Sequence, residues 1–141
     1  MNNKNILIFT DLDGSLLNHN NFQFNTIKPF ILKCLRNNIR IIPNTSKTKN
    51  EVEFFSEQLG VDIPFIVENG SAIHNLDLVC SHFDKNIKSL ILSRTANEIF
   101  EIFNNKVPLS LRNQCLFLKD MNASKQSKVL GLNREKFIQF L

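Results

Sequence analysis

Two carboxylates, Asp11 and Asp13, stand one residue apart and are followed at once by Gly14. Acids this close repel each other and call for a cation or a proton between them. A hard divalent ion with oxygen ligands, most simply Mg²⁺, meets that need and also screens an incoming phosphate. One carboxylate can then attack phosphorus and form an aspartyl-phosphate. The other can protonate the leaving oxygen and afterwards activate water. A solvated Asp-Gly turn uses the same residues for nothing chemical. Context favours chemistry, because an apolar run, residues 6–10, leads into the acids and Ser15-Leu16-Leu17 follows them.

The elements that position these acids can be read from periodicity. Residues 6–10 lack polar alternation and predict a buried strand of the parallel-sheet kind, with Gly14 permitting a sharp turn at its end. In open α/β sheets ligands gather outside the carboxyl ends of strands, which is where the acids are delivered. A helix is predicted over 27–36, with Ile27, Phe30, Ile31 and Leu35 on its apolar face and Pro29 in its first turn. A second buried strand follows at 39–42, and the short connections predict a βαβ crossover with parallel strands. Thr45, Ser46 and Lys47 then lie beside Asp11 and Asp13. Hydroxyls there suit the equatorial oxygens of a transferring phosphoryl group, although either hydroxyl could instead cap a helix. Lys47 adds positive charge.

Thr48-Lys49-Asn50-Glu51 has the capping-box pattern, and Val52, Phe55 and Leu59 continue a helix that Gly60 stops. A third short strand at 64–67 brings Glu68-Asn69-Gly70 to the same edge. Beyond it the pattern predicts a hairpin with arms at 72–75 and 78–83 and a helix at 95–103. A strand at 115–118 and helices at 123–130 and 133–141 follow. The texture changes near Asn86, so the expected partition is 1–85 and 86–141.

Composition narrows the class. The 141 residues suit one full domain, and 43% hydrophobic with 21% charged residues describes an ordinary water-facing globular chain. A net charge of +4 is spread without any long basic run or aromatic-basic interleaving, which argues against a nucleic-acid partner. Cys34, Cys80 and Cys115 are far apart and predict neither a disulfide framework nor a zinc site. The first apolar run is too short for a signal peptide or a membrane span, so no membrane partner and a cytoplasmic location are expected.

The segment Asp11-Leu12-Asp13-Gly14-Ser15-Leu16-Leu17 resembles the first motif of haloacid dehalogenase superfamily phosphatases. Asn44-Thr45-Ser46-Lys47-Thr48 with Glu51 resembles the mannosyl-3-phosphoglycerate phosphatase branch. So do Phe65-Ile66-Val67-Glu68-Asn69-Gly70 with Ala72-Ile73, and Asp120-Met121 with Leu130-Gly131-Leu132. The resemblance implies an α/β fold: a Rossmann-like parallel sheet core, incomplete here, with an inserted α+β cap domain, truncated. Residues 1–85 would be the N-terminal part of the core and 86–141 a partial cap. It implies Asp11 as nucleophile and metal ligand, and Asp13 as general acid/base that also lends a backbone carbonyl to Mg²⁺. Thr45 is implied as the phosphate-binding hydroxyl. Ser46, Lys47, Glu68, Asn69 and Gly70 are implied to meet substrate, a small phosphorylated sugar acid such as mannosyl-3-phosphoglycerate or a related sugar-glycerate phosphate.

In that family a later lysine and an acidic Gly-Asp-x-x-Asn-Asp type motif complete the site, and neither is found in this sequence. The expectation is a chain weak or inactive alone, either a truncated gene product or one half of a split enzyme partnered by a separately encoded C-terminal half, with its first strand left as an apolar sheet edge. Two other readings compete. A response-regulator receiver also takes phosphate on Asp, but it wants a further Asp where Glu68-Asn69-Gly70 stand, and it has no cap. A catalytically dead remnant that only binds a phosphorylated sugar or a partner protein is distinguished by its lack of Mg²⁺ affinity.

Overall fold

The computed structural model describes residues 6–18, 23–79 and 86–131. The chain divides into two compact units, Met1–Ser93 and Arg94–Leu141, a division that falls later than the change of texture near Asn86.

In the first unit the apolar run forms β1 (Ile6–Thr10), and the predicted crossover follows as α1 (Lys28–Arg36) and β2 (Ile39–Pro43). The two strands pair in parallel, from Ile6 opposite Ile39 to Thr10 opposite Pro43. Pro29 sits in the first turn of α1, where a missing N–H costs nothing, and Lys33 and Arg36 oppose the helix dipole in the last. Ile31 and Cys34 are buried, whereas Phe30 is 60% exposed, so the apolar face lies slightly off the predicted stripe. Helix α2 (Lys49–Leu59) carries the predicted capping box and buries Val52, Phe55 and Leu59; Gly60, at φ 84°, ends it in the left-handed conformation.

Strand β3 (Phe65–Val67) joins β2 through a parallel bridge between Asn44 and Ile66, with Thr45 N donating to Ile66 O at 3.1 Å. It then pairs antiparallel with β4 (Ala72–His74), which pairs antiparallel with β5 (Ser89–Ile91). The second hairpin arm is therefore 89–91. Leu76–Leu78, part of which was expected in that arm, is instead a 3-10 turn entered through Asn75 at φ 53°, while 80–83 lie outside the described residues. Leu12, Ile31, Val52, Ile63, Phe65 and Val67 are almost wholly buried and form the centre of this unit's core.

One expectation reverses. Ile6, Leu7, Ile8 and Phe9 are 39–58% exposed, not buried, because among the described residues β1 pairs with β2 alone and carries apolar side chains on both faces. It is the edge strand that the edge argument anticipates.

The second unit opens with α3 (Ala96–Lys106), which starts on a capping box of its own: Thr95 N donates to Glu98 Oε2 at 2.7 Å. That bond and the Thr95 hydroxyl hold the Glu98 carboxyl below its usual pKa. A short α4 (Leu109–Arg112) follows Pro108. The strand expected at 115–118 is absent. Phe117 instead packs edge-on against Phe100 and Phe103 of α3, and Leu118–Asp120 forms a 3-10 turn. Helix α5 (Ala123–Val129) is capped by Asn122 Oδ1, which accepts from Lys125 N at 3.0 Å. The helix expected at 133–141 lies outside the described residues. No helix among the described residues is long and apolar enough to cross a membrane.

A titratable side chain is buried within the hairpin. His74 is 7% exposed, stacks near Phe65 and shares a 2.8 Å hydrogen bond between Nδ1 and Ser89 Oγ. Burial lowers its pKa from 6.5, helped by the Lys49 ammonium and opposed by Glu53 and Glu68. The unfolded chain thus takes the proton more readily than the folded one. This contribution to stability is whole above the unfolded pKa and is lost as pH falls through the folded pKa. Denaturation midpoints should drop as pH falls below about 6.5, and His74→Gln should flatten that part of the profile.

Candidate functional site

The site is built where β1 and β2 end. Leu12 has no exposure, and burying it sends its neighbours Asp11 and Asp13 away from the core: Asp11 is exposed and Asp13 half-buried. The turn behind them is closed by backbone bonds, with Leu16 N and Leu17 N donating to Leu12 O at 3.1 and 2.8 Å, and Gly14 N to Leu17 O at 2.9 Å. Gly14 at φ 72° supplies the left-handed residue this closure needs. Asp11 Oδ1 accepts from Leu12 N at 2.7 Å, which fixes the carboxylate relative to its own strand end.

Strand β2 delivers the hydroxyls. Asn44 N donates to Thr10 O at 2.8 Å, so the segment after β2 stays in register with the end of β1. Thr45 is 4% exposed, and its Oγ1 accepts from Lys47 N at 3.2 Å, turning the chain toward α2. Thr45 O accepts from Asn69 N at 3.1 Å and Lys47 O from Glu68 N at 3.0 Å, which stitch the turn after β3 to the turn after β2. That turn is strained: Glu68, Asn69 and Gly70 all have positive φ, at 51°, 57° and 92°. A side-chain-bearing residue such as Glu68 holds that conformation at a cost of about 1–2 kcal/mol. The Ser71 bonds offset it, with Ser71 N donating to Val67 O and Ser71 Oγ to Glu68 O.

The result is an open concavity of about 360 Å³ lined by Asp11, Asn44, Thr45, Ser46 and Asn69. Four of the predicted site residues thus share one wall. Asp13 and Lys47 stand outside that lining as an ion pair, Lys47 Nζ lying 3.3 Å from Asp13 Oδ1. The pair is close without being aligned, for Asp13 Oδ1 is buried and makes no hydrogen bond of good geometry. Glu68 and Gly70 shape the turn through their backbone and do not line the concavity. Two residues gain parts the sequence reading had not given them. Asn44 lines the wall, and Glu51, placed by the sequence in the α2 cap and in the branch-like segment without a part in the site, also binds Lys47, Oε1 to Nζ at 3.3 Å. The i,i+4 spacing of Lys47 and Glu51 was the available signal.

Oxygen donors dominate: two carboxylates, the hydroxyls of Thr45 and Ser46 and the Asn44 and Asn69 amides. Among the described residues no three His, Cys, Asp or Glu side chains gather as a metal-holding group. Two carboxylates are nevertheless the complement that Mg²⁺ commonly takes from a protein, with water and phosphate oxygens filling its other positions. The exposed Asp11 carboxylate fits such a hard cation, with Asp13 two residues on.

Packing of the loop predicts a measurable cost. Thr45→Val keeps the shape but strips the acceptor from Lys47 N. Chemical denaturation should report a loss of about 1–2 kcal/mol with no change in the denaturant slope.

Comparison with known proteins follows the same residues. The family described as haloacid dehalogenase-like hydrolase matches residues 8–128. A glucosyl-3-phosphoglycerate/mannosyl-3-phosphoglycerate phosphatase of Persephonella marina is 47% identical over 68 residues, covering 48% of this chain and 25% of the relative. A protein of the same description from Methanococcoides burtonii is 35% identical over 101 residues, covering 72% of this chain and 33% of its own length. The chain therefore spans between a quarter and a third of these curated relatives. Among solved structures, a haloacid dehalogenase-like hydrolase from B. subtilis superposes with a TM-score of 0.51 at 25% identity, over 70% of this chain and 32% of that one. One from Bacteroides thetaiotaomicron superposes at 0.55 with 17% identity, over 72% and 36%, and supports the fold alone.

Proposed function

The chain belongs to the haloacid dehalogenase-like hydrolases, and on that footing we propose that its first unit carries the nucleophile and the general acid/base of a phosphomonoester hydrolase. The observation that carries the reading is the convergence of Asp11, Thr45, Ser46 and Asn69 on one concavity at the strand ends, with Asp13 and Lys47 beside it. In this mechanism an Asp11 oxygen attacks phosphorus in line with the leaving oxygen. The P–O bond to the organic group breaks as the bond to Asp11 forms, and Asp13 gives its proton to the departing alkoxide. Asp13, now a carboxylate, takes a proton from water, which attacks the aspartyl-phosphate and releases inorganic phosphate and the free Asp11 carboxylate. The Thr45 and Ser46 hydroxyls and the Asn69 amide hold the equatorial oxygens, and Lys47 supplies positive charge.

Mg²⁺ is the cofactor this reading calls for; the Asp11 carboxylate and the Asp13 backbone carbonyl would hold it, and when bound it would supply charge neutralisation between acid and phosphate. The substrate class is a small phosphorylated sugar acid. The support is the printed activity of the relatives, phosphatases of glucosyl- and mannosyl-3-phosphoglycerate. We assign 1–85 to the phosphatase core and 86–141 to part of a cap. The reaction is assigned to the cytoplasm.

The test is a phosphatase assay of the full 141-residue chain on mannosyl-3-phosphoglycerate, alone and with the C-terminal part of a relative supplied in trans. Turnover should need both pieces and Mg²⁺, vanish in Asp11→Asn and fall roughly a hundredfold or more in Asp13→Asn. Undiminished activity in Asp11→Asn would remove the nucleophile assignment. A chain that titrates no Mg²⁺ and never becomes phosphorylated, even when complemented, would instead be a remnant that only binds its ligand.

A further inference from the structure

Glu51 does two things with one carboxylate. Oε2 accepts from Thr48 N and Thr48 Oγ1 at 2.8 and 2.7 Å, closing the α2 capping box. Oε1 meets Lys47 Nζ at 3.3 Å, and the same ammonium lies 3.3 Å from Asp13 Oδ1. Lys47 is only 11% exposed along its side chain and Glu51 18%, so this contact is largely shielded from water, unlike an ordinary surface pair. The Lys47 backbone is fixed as well, by Thr45 Oγ1 on its N–H and Glu68 N on its carbonyl. The four-carbon stem carries the ammonium to two carboxylates, those of Asp13 and Glu51.

We propose that Glu51 is a positioning residue: anchored in the α2 cap, it holds the Lys47 ammonium at Asp13, where a phosphoryl oxygen would find it. The role of Lys47 toward phosphate rests on the hydrolase reading above, while the positioning of Lys47 does not. The capping box makes the two uses of Glu51 separable, because Gln also serves at that cap position. Glu51→Gln should keep the helix start and remove the Glu51 charge from Lys47.

Two measurements on the full chain decide it. The first is the side-chain ammonium resonance of Lys47 in lysine-labelled protein, assigned with Lys47→Met. In Glu51→Gln it should shift and lose its protection from solvent exchange, while the melting temperature stays within a degree or so. An unchanged resonance overturns the proposal. The second is the affinity for inorganic phosphate by calorimetry. If Glu51 acted merely as a nearby negative charge, removing it would strengthen anion binding. Loss of positioning should weaken it instead, by about tenfold. The same substitution made in Lys47→Met should change nothing further, since Glu51 acts through that lysine. Tighter phosphate binding in Glu51→Gln, or equal losses with and without Lys47, overturns the proposal. Should wild type and Lys47→Met bind phosphate equally poorly, the phosphate reading of the site fails, and the resonance alone still decides whether Glu51 positions Lys47.

Discussion

Burial of one side chain, Leu12, fixes the rest of the site. Placed between two acids at the end of a strand, it has a single comfortable position, inside the core against Val52, Phe65 and their neighbours. With it there, Asp11 is left exposed and Asp13 half-buried at the end of β1. Burial of an apolar side chain thus sets where two charges stand. The hydrogen bond from Leu12 N to Asp11 then uses the buried residue's backbone to hold the acid's orientation.

The second constraint is that three chain segments must end at the same level. Parallel pairing of β1 with β2 and the bridge from Asn44 to Ile66 bring their carboxyl ends together. Local chemistry then bends each segment differently: glycine after β1, a threonine-capped turn after β2, and a run of left-handed residues after β3. The strain in the last of these is tolerated because its amides are bonded to the carbonyls of Thr45 and Lys47. Site and scaffold are therefore the same bonds seen from two sides.

Much of this was visible in the residue pattern. The strand before the acids, the α2 cap and its Val52–Phe55–Leu59 stripe, and the meeting of Thr45 with Asp11 all follow from short-range periodicity and a rule about parallel sheets. The failures came where partners are distant in sequence. Leu78 and Val79 looked like the return arm of the hairpin, but which apolar stretch pairs with β4 is decided by non-local register, and 89–91 holds it. Phe117 looked like part of a strand because its aromatic packing on α3 cannot be read from its own neighbours. The exposure of β1 had the same origin: an apolar strand signals burial whether or not a neighbour is present to provide it. At the site, the double use of Glu51 was hidden because a cap residue's spare oxygen goes unspecified until distances exist.

The exposed β1 links two properties that protein chemists usually adjust separately. The strand whose end presents Asp11 is also an apolar surface of the first unit, with Ile6, Leu7, Ile8 and Phe9 open to solvent. Lysines introduced along it to keep the chain from clumping would also repel any strand arriving to sit alongside. Handling and reactivity pull against each other at one address. Soluble preparations are better sought by covering that strand than by rewriting it.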